Sequence, residues 1–176
     1  MMGSYHDNVD GVDKRKKVRI RWYHDLFRHV DHPVLEFKLK HGVVGSKIQY
    51  PFPSFDFDKS FTESGFSKII RSCDLPEEAK SQLIQREPVL VNRYLRWYYA
   101  TPDQVFRVTI DSGLTFYHLS KIHNRFLKKQ VDHSNIVVEL KYQLDDDLKG
   151  SRISAGFPFR MTRSSKYVQG IEQVYI

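Results

Sequence analysis

One short stretch decides the predicted fold: Arg15–Tyr23, which reads RKKVRIRWY. Successive side chains of a β-strand point to opposite faces, so a strand here separates two sets of residues. The first set is basic and contains Lys17, Arg19 and Arg21, and the second is apolar and contains Val18, Ile20 and Trp22. The stretch therefore predicts a strand with one cationic face and one apolar face.

The same alternation returns in later segments, which we interpret as further strands. Val34–Lys40 alternates strictly, with Glu36 and Lys38 on the face opposite Leu35 and Phe37. The other predicted strands are Asn92–Tyr99, Val105–Asp111, Leu114–Leu119 and Asn135–Tyr142. Charged residues recur on one face of several strands, and this recurrence predicts a ligand that is itself charged.

Loops and helices are predicted between these strands. A loop is expected from His41 through Gly45-Ser46-Lys47, which lacks the residue order of a P-loop. Asp111-Ser112-Gly113 predicts a hairpin turn that Asp111 shapes. Tyr50–Asp58 predicts a Pro-broken connection, for which the alternatives are a lid and, as the favoured one, a loop packed on the surface. Helices are predicted over Phe61–Ser72 and over Asp145–Ala155. Another predicted helix is capped by Asp74 and ends before Pro88. Arg163–Gln173 predicts either a final helix or an irregular tail.

Composition indicates a folded chain with an anionic partner. The 176 residues are 40% hydrophobic and 14% aromatic, enough for one domain, which we expect to span residues 1–176. The formal net charge of +7 favours nucleic acid, an acidic membrane surface or a phosphate-rich small molecule. The single cysteine, Cys73, excludes an intrachain disulfide. No apolar run approaches the roughly 20 residues of a membrane span, so a soluble, cytoplasmic protein is expected.

These features predict an α+β fold in which antiparallel strands curl into a β-barrel. The apolar strand faces, which carry Trp22, Phe37, Phe106, Ile110 and Leu140, need cover from helices or a second sheet. A barrel of about eight strands would enclose the charged faces in a lumen able to hold a small ligand. The predicted architecture is therefore a charged tunnel with helices packed on the outside.

Five short motifs follow one another along the chain. They are Arg15-x-Lys17-x-Arg19-Ile20-Arg21-x-Tyr23, Leu35-Glu36-Phe37-Lys38, Arg107-Val108-Thr109-Ile110-Asp111, Val138-Glu139-Leu140-Lys141-Tyr142 and Ser165-Lys166-Tyr167. In this order and spacing they resemble the VTC domain, the catalytic domain of polyphosphate polymerases within the triphosphate tunnel metalloenzyme (CYTH-like) superfamily. The resemblance extends from about Tyr5 to Gly170.

The resemblance implies a basic tunnel that holds a triphosphate and a divalent metal, Mg²⁺ or Mn²⁺. The residues that it implies for catalysis, through phosphate contacts, are Arg19, Arg21, Lys38, Arg107 and Lys166. Further substrate-binding residues are Lys17, Lys47, Arg96, Lys141 and Ser165, and the implied metal ligands are Glu139 and Glu36. The chemistry agrees, because cationic side chains bond phosphate oxygens and carboxylates suit hard cations.

The implied reaction transfers the γ-phosphate of ATP to a growing polyphosphate chain, with ATP, polyphosphate and tripolyphosphate as ligands. A terminal phosphate is already an anionic nucleophile, so no nucleophilic side chain is required, and the sequence contains no G-x-S-x-G, C-x-x-C or H-E-x-x-H motif. One alternative is a tunnel hydrolase that acts on tripolyphosphate or a nucleoside triphosphate. The other is a non-catalytic module that binds polyphosphate, inositol phosphates or nucleic acid. Glu36 and Glu139 amid the basic residues argue against nucleic acid.

The chain departs from the family pattern at its N-terminal end. Family members begin with a further segment that contains additional strands, whereas this chain begins near the turn that follows them. A tunnel that lacks those strands would expose a sheet edge. Either dimerisation or swapping of a strand between two copies could cover this edge, so a homodimer is one expected arrangement.

Overall fold

The structure is a computed structural model that describes Tyr5, Val12 and residues 14–41, 44–122, 124–162 and 164–176. Its strands are β1 (Lys14–Arg21), β2 (Arg28–Val30), β3 (Val34–His41), β4 (Val44–Pro51), β5 (Phe55–Phe57), β6 (Leu90–Ala100), β7 (Arg107–His118), β8 (Lys129–Asp132) and β9 (Val137–Lys141). Its helices are α1 (Glu63–Ser72), α2 (Glu77–Ile84), α3 (Asp147–Ala155) and α4 (Lys166–Tyr175). The mixed α+β class is confirmed, and so is a helix near the C-terminal end. No helix in these ranges has the length and hydrophobicity needed to cross a membrane.

The strands form three antiparallel sheets. The first sheet has the order β1-β3-β4, and the second pairs β2 with β5. In the third sheet, β6 lies along one edge of β7, while β9 pairs with the first half of β7 and β8 with its second half. Within the described ranges these sheets do not join into one closed barrel, so the predicted barrel is not confirmed.

The predicted hairpin turn at Asp111-Ser112-Gly113 is wrong, because β7 continues through it. Ser112 pairs with Leu95 and Thr115 pairs with Arg93, so two residues of β7 lie opposite Tyr94 alone. Gly113 has a φ of 58°, the left-handed conformation that glycine adopts most readily. The Ser-Gly signal therefore marks a β-bulge rather than a chain reversal.

Two predicted connections are wrong because they contain strands. The predicted loop over Gly45-Ser46-Lys47 belongs to β4, whose hydrogen bonds with β3 override the low strand propensity of glycine. Phe55–Phe57 pairs with β2, and both of its phenylalanines are buried in the core instead of on the surface. The predicted Asp74 cap is wrong as well, since α2 begins after Pro76 without a side-chain cap.

An aromatic core fixes which way the first sheet faces. Its buried rings come from the β4–α1 segment and are Phe52, Phe55, Phe57, Phe61 and Phe66. Leu35 and Phe37 of β3 are buried in the same cluster, and Val18 and Ile20 of β1 pack against it. Because alternate residues face the core, Lys17, Arg19 and Arg21 of β1 and Glu36 and Lys38 of β3 project from the opposite side of the sheet.

Helix α4 packs closely against the third sheet at Gly170. A Cβ atom at this position would lie 2.6 Å from Leu90 Cδ2 and 2.6 Å from Phe116 Cδ1. Alanine would gain roughly 1 kcal/mol of helix propensity, but overpacking costs roughly 1–3 kcal/mol. We expect Gly170→Ala to lower the melting temperature measured by circular dichroism, whereas Gln173→Ala, on an exposed site of α4, should not. An unchanged melting temperature for Gly170→Ala would contradict this packing.

Candidate functional site

Three lysines stand side by side across the charged face of the first sheet. Lys38 of β3 lies directly opposite Lys17 of β1 and directly opposite Lys47 of β4. We call these three residues the lysine row. Like charges directly opposite one another destabilise a sheet. This arrangement is therefore costly to the free protein and suited to a bound anion.

A buried carboxylate organises the adjacent row of the same sheet. Glu36 is fully buried and lies opposite Arg19 and Gln49. Its oxygens accept hydrogen bonds from Arg19 Nε and, at 2.7 Å, from Gln49 Nε2, and Arg21 Nη2 lies 3.3 Å away. Burial alone would raise the pKa of Glu36, but Arg19 and the other nearby cations outweigh it and lower the pKa. Glu36 is thus an ionised counter-ion that positions two guanidinium groups.

A second buried carboxylate organises the third sheet. Asp111 of β7 is 1% exposed and accepts hydrogen bonds from both Arg96 Nε and Arg96 Nη2, the latter at 2.6 Å. Lys166 Nζ, at the start of α4, lies 2.6 Å from the same carboxylate. Burial opposes ionisation of Asp111, but these hydrogen bonds prevail and lower its pKa. Asp111 therefore holds two predicted phosphate ligands together, and its expected turn-shaping role is wrong.

Tyr94 adds an aromatic surface beside this group. The Arg96 guanidinium lies 5.0 Å and the Lys166 ammonium 4.9 Å from the centre of the Tyr94 ring. Both distances are within the range of cation–π attraction. The Tyr94 ring and Asp111 together hold the side chains of Arg96 and Lys166 in place. These two side chains therefore lose less conformational entropy when a ligand binds.

The charged faces of the first and third sheets lie close to each other. Lys17 Nζ of β1 donates a hydrogen bond of 3.1 Å to Ser165 Oγ, the residue before α4. The pKa of Lys38 also depends on charges on β9. Burial and Arg19 lower this pKa, Lys141 of β9 lowers it further, and Glu139 of β9 acts to raise it. Lys17 and Lys38 of the first sheet therefore lie near Ser165 and near the charged residues of β9, and we call the space between these groups the charged cleft.

The remaining predicted residues lie where β7 and β9 pair. Arg107 is directly opposite Lys141, and both are exposed. Glu139 is also exposed, with its carboxylate 3.4 Å from Lys141 Nζ. This end of the third sheet is more open to solvent than the Asp111 group.

Of the two predicted metal ligands, Glu139 suits the role and Glu36 does not. Both oxygens of Glu36 already accept hydrogen bonds from cationic or amide groups, which gives it a positioning role instead. Magnesium commonly binds one or two carboxylates, completed by substrate phosphates and water, so Glu139 alone is compatible with it. The described residues contain no group of three or more His, Cys, Asp or Glu side chains placed to hold a metal ion.

Two buried polar atoms on the facing sheets have no hydrogen-bond partner. They are Arg21 Nε on β1 and Thr109 Oγ1 on β7, the two such side-chain atoms within the described part of the chain. A buried polar group that is left unpaired costs roughly 1–3 kcal/mol. Sequence reasoning predicted Arg21 as a site residue but did not predict Thr109. The signal was present, because Thr109 is two residues from Arg107 and two from Asp111 and therefore shares their strand face.

The comparisons with known proteins identify the family of the chain. A family model described as the VTC domain matches residues 2–175 of the chain. A search of curated proteins returned no match. The family match covers every candidate residue described above.

Proposed function

The chain belongs to the VTC domain family, and from this premise we propose that it is a polyphosphate polymerase domain. The family indicates a function related to polyphosphate. The finer proposal is that the domain transfers the γ-phosphate of ATP to the end of a polyphosphate chain. The two facing charged sheets are proposed as opposite walls of a substrate tunnel.

The lysine row is the single observation that carries this proposal. Three lysines lie directly opposite one another on neighbouring strands, and Lys17 and Lys38 also lie near residues of the third sheet. A linear phosphate chain offers one negative charge or more per unit and can neutralise several of them at once. A single small anion would leave part of the row uncompensated.

In the proposed reaction, a terminal oxygen of the polyphosphate chain attacks the γ-phosphorus of ATP. The new P–O bond forms as the bond to the β-phosphate oxygen breaks, and ADP leaves with that electron pair. Arg19 and Arg21, which Glu36 positions, would neutralise negative charge on the transferring group. Lys38 and Lys166 would bind and align the phosphates.

A divalent metal is proposed as a cofactor. Mg²⁺ or Mn²⁺, held by Glu139 together with substrate phosphates, would supply further charge neutralisation. The chain's own contribution is the fixed arrangement of cations. Buried Glu36 and Asp111 maintain this arrangement before substrate binds, so little reorganisation is needed at the moment of transfer.

We expect tripolyphosphate to raise the melting temperature of the protein. At 100 times its dissociation constant, a ligand stabilises by about 2.7 kcal/mol, which corresponds to roughly 5–10 °C for a chain of this size. Differential scanning fluorimetry with increasing tripolyphosphate measures the shift, and sulfate at equal ionic strength controls for non-specific screening. No shift at millimolar tripolyphosphate would contradict an anion-binding cleft.

The reaction itself is tested by incubating purified protein with ATP and Mn²⁺ and resolving the products on a gel that separates phosphate chains. A ladder of chains supports the polymerase. Free phosphate without a ladder supports the hydrolase instead. If neither product forms while tripolyphosphate still stabilises the protein, the chain is a binding module.

A further inference from the structure

We propose that the Thr109 hydroxyl is a further substrate-binding group, which donates a hydrogen bond to a phosphate oxygen of the bound chain. This inference rests on the proposed function and adds a neutral donor to its cationic site. Thr109 lies on the same face of β7 as Asp111. Its directly opposite neighbours are Tyr98 of β6 and Glu139 of β9.

The Thr109 hydroxyl lacks an acceptor for its proton. Thr109 is 5% exposed and its Oγ1 atom has no hydrogen-bond partner. Arg21 Nε, on the facing sheet, is buried and unpaired in the same way. A hydroxyl group and a guanidinium N–H both donate hydrogen bonds, and a phosphate oxygen accepts from either. One anionic ligand class thus satisfies both orphan donors.

A ligand can reach Thr109 because the side chains that cover it are exposed. The side chains beside Thr109 belong to Tyr98, which is 65% exposed, and to Glu139, whose side chain is 48% exposed. Exposed side chains change rotamer within picoseconds to nanoseconds. Neither neighbour is fixed in the core: Glu139 makes an exposed ion pair with Lys141, and the Tyr98 ring lies 5.7 Å from the Arg96 guanidinium. A rotamer change of these two exposed side chains would make room for a phosphate group over the hydroxyl.

A neutral donor suits this position better than another cation. Another lysine or arginine here would add to the repulsion that Lys38 already feels from Arg19 and Lys141. A threonine hydroxyl adds a directional hydrogen bond without adding charge. It would therefore fix the position of the phosphate chain in the cleft at no electrostatic cost to the free protein.

Thr109→Val tests this proposal, because valine keeps the shape of threonine and removes only the hydroxyl. Calorimetric titration with tripolyphosphate should show affinity weakened about tenfold, the loss of one hydrogen bond to a charged group. Without ligand, the melting temperature should be unchanged or higher, since an unpaired buried hydroxyl is gone. Thr109→Ser retains the hydroxyl and should bind nearly as well as the wild type.

Thr115→Val is the matched control on the same strand. The Thr115 hydroxyl already donates to the Gly113 carbonyl oxygen at 3.3 Å, so this variant should bind tripolyphosphate like the wild type. If Thr109→Val does not fold, Thr109→Ala provides the same comparison with Thr109→Ser.

The outcomes separate this inference from the proposed function. A wild-type protein that does not bind tripolyphosphate overturns both. A wild type that binds, together with a Thr109→Val variant of equal affinity, overturns the role of Thr109 alone. Equal losses in Thr109→Ser and Thr109→Val also overturn it, because the hydroxyl would then not be the group that matters.

Discussion

Replacing Lys38 with methionine is expected to weaken tripolyphosphate binding by at least about 30-fold and to abolish polyphosphate synthesis, without destabilising the protein. Lys38 is the middle member of the lysine row and the one whose pKa responds to charges on both sheets. Methionine keeps the apolar stem of lysine and loses the charge. The repulsion from Arg19 and Lys141 is thereby relieved while the centre of the anion site is lost.

The pH dependence of stability provides an independent check on Lys38. Its pKa in the folded protein is lowered below the ordinary 10.5, first by burial and then by Arg19. The unfolded chain therefore binds this proton more tightly than the folded protein does. At a pH below both the folded and the unfolded pKa, the charge on Lys38 lowers the free energy of unfolding. This destabilisation decreases as the pH rises toward 10.5, because the folded protein can then release the proton. The advantage of Lys38→Met over the wild type in urea unfolding should be largest at neutral pH and shrink toward pH 10.5.

Lys68→Met is the control for this experiment. Lys68 is an exposed residue of α1, outside the charged cleft, so the substitution makes the same change of charge and shape elsewhere. It should leave both tripolyphosphate affinity and the pH profile unchanged. If Lys38→Met unfolds at a markedly lower temperature, Lys38 supports the fold and its assignment to the anion site is wrong.

Local sequence patterns predicted the strands that carry the cations. The period-two alternation of β1 and β3 depends only on neighbouring residues, and the aromatic core requires the orientation that this alternation predicted. The lysine row was harder to foresee. Its third member, Lys47, lies in a predicted loop, and its position opposite Lys38 depends on strand register. Register follows from tertiary pairing and cannot be deduced from one segment alone.

The Asp111 group shows a different limit of sequence reasoning. Asp, Ser and Gly in succession are typical of a turn, and the same residues also suit a β-bulge. Only the pairing of β6 with β7 distinguishes the two possibilities. Arg96 and Lys166 are 15 and 55 positions from Asp111, so no local pattern indicates that they share its carboxylate. The closed barrel likewise depends on contacts between sheets rather than on any strand pattern.

Replacing Asp111 with asparagine is expected to lower the unfolding free energy by roughly 3–5 kcal/mol, the usual cost of breaking a buried ion pair. The side chains of Arg96 and Lys166 are only 20% and 18% exposed, so water compensates little for the lost carboxylate. An asparagine oxygen accepts from one cation, while its amide group repels the other. Urea unfolding at pH 7 without phosphate measures the loss. Asp25→Asn, at an exposed position outside the two charged sheets, is the control and should unfold like the wild type.

Tripolyphosphate distinguishes a positioning role of Asp111 from a purely structural one. If Arg96 and Lys166 bind phosphate, the ligand can replace the missing carboxylate as their counter-ion. Saturating tripolyphosphate should then raise the melting temperature of Asp111→Asn by more than it raises that of the wild type. Synthesis should remain impaired even when the variant is saturated, because its cations are no longer held in place before the substrate arrives. Equal increments in the two proteins would mean that Asp111 supports the fold without organising the anion site.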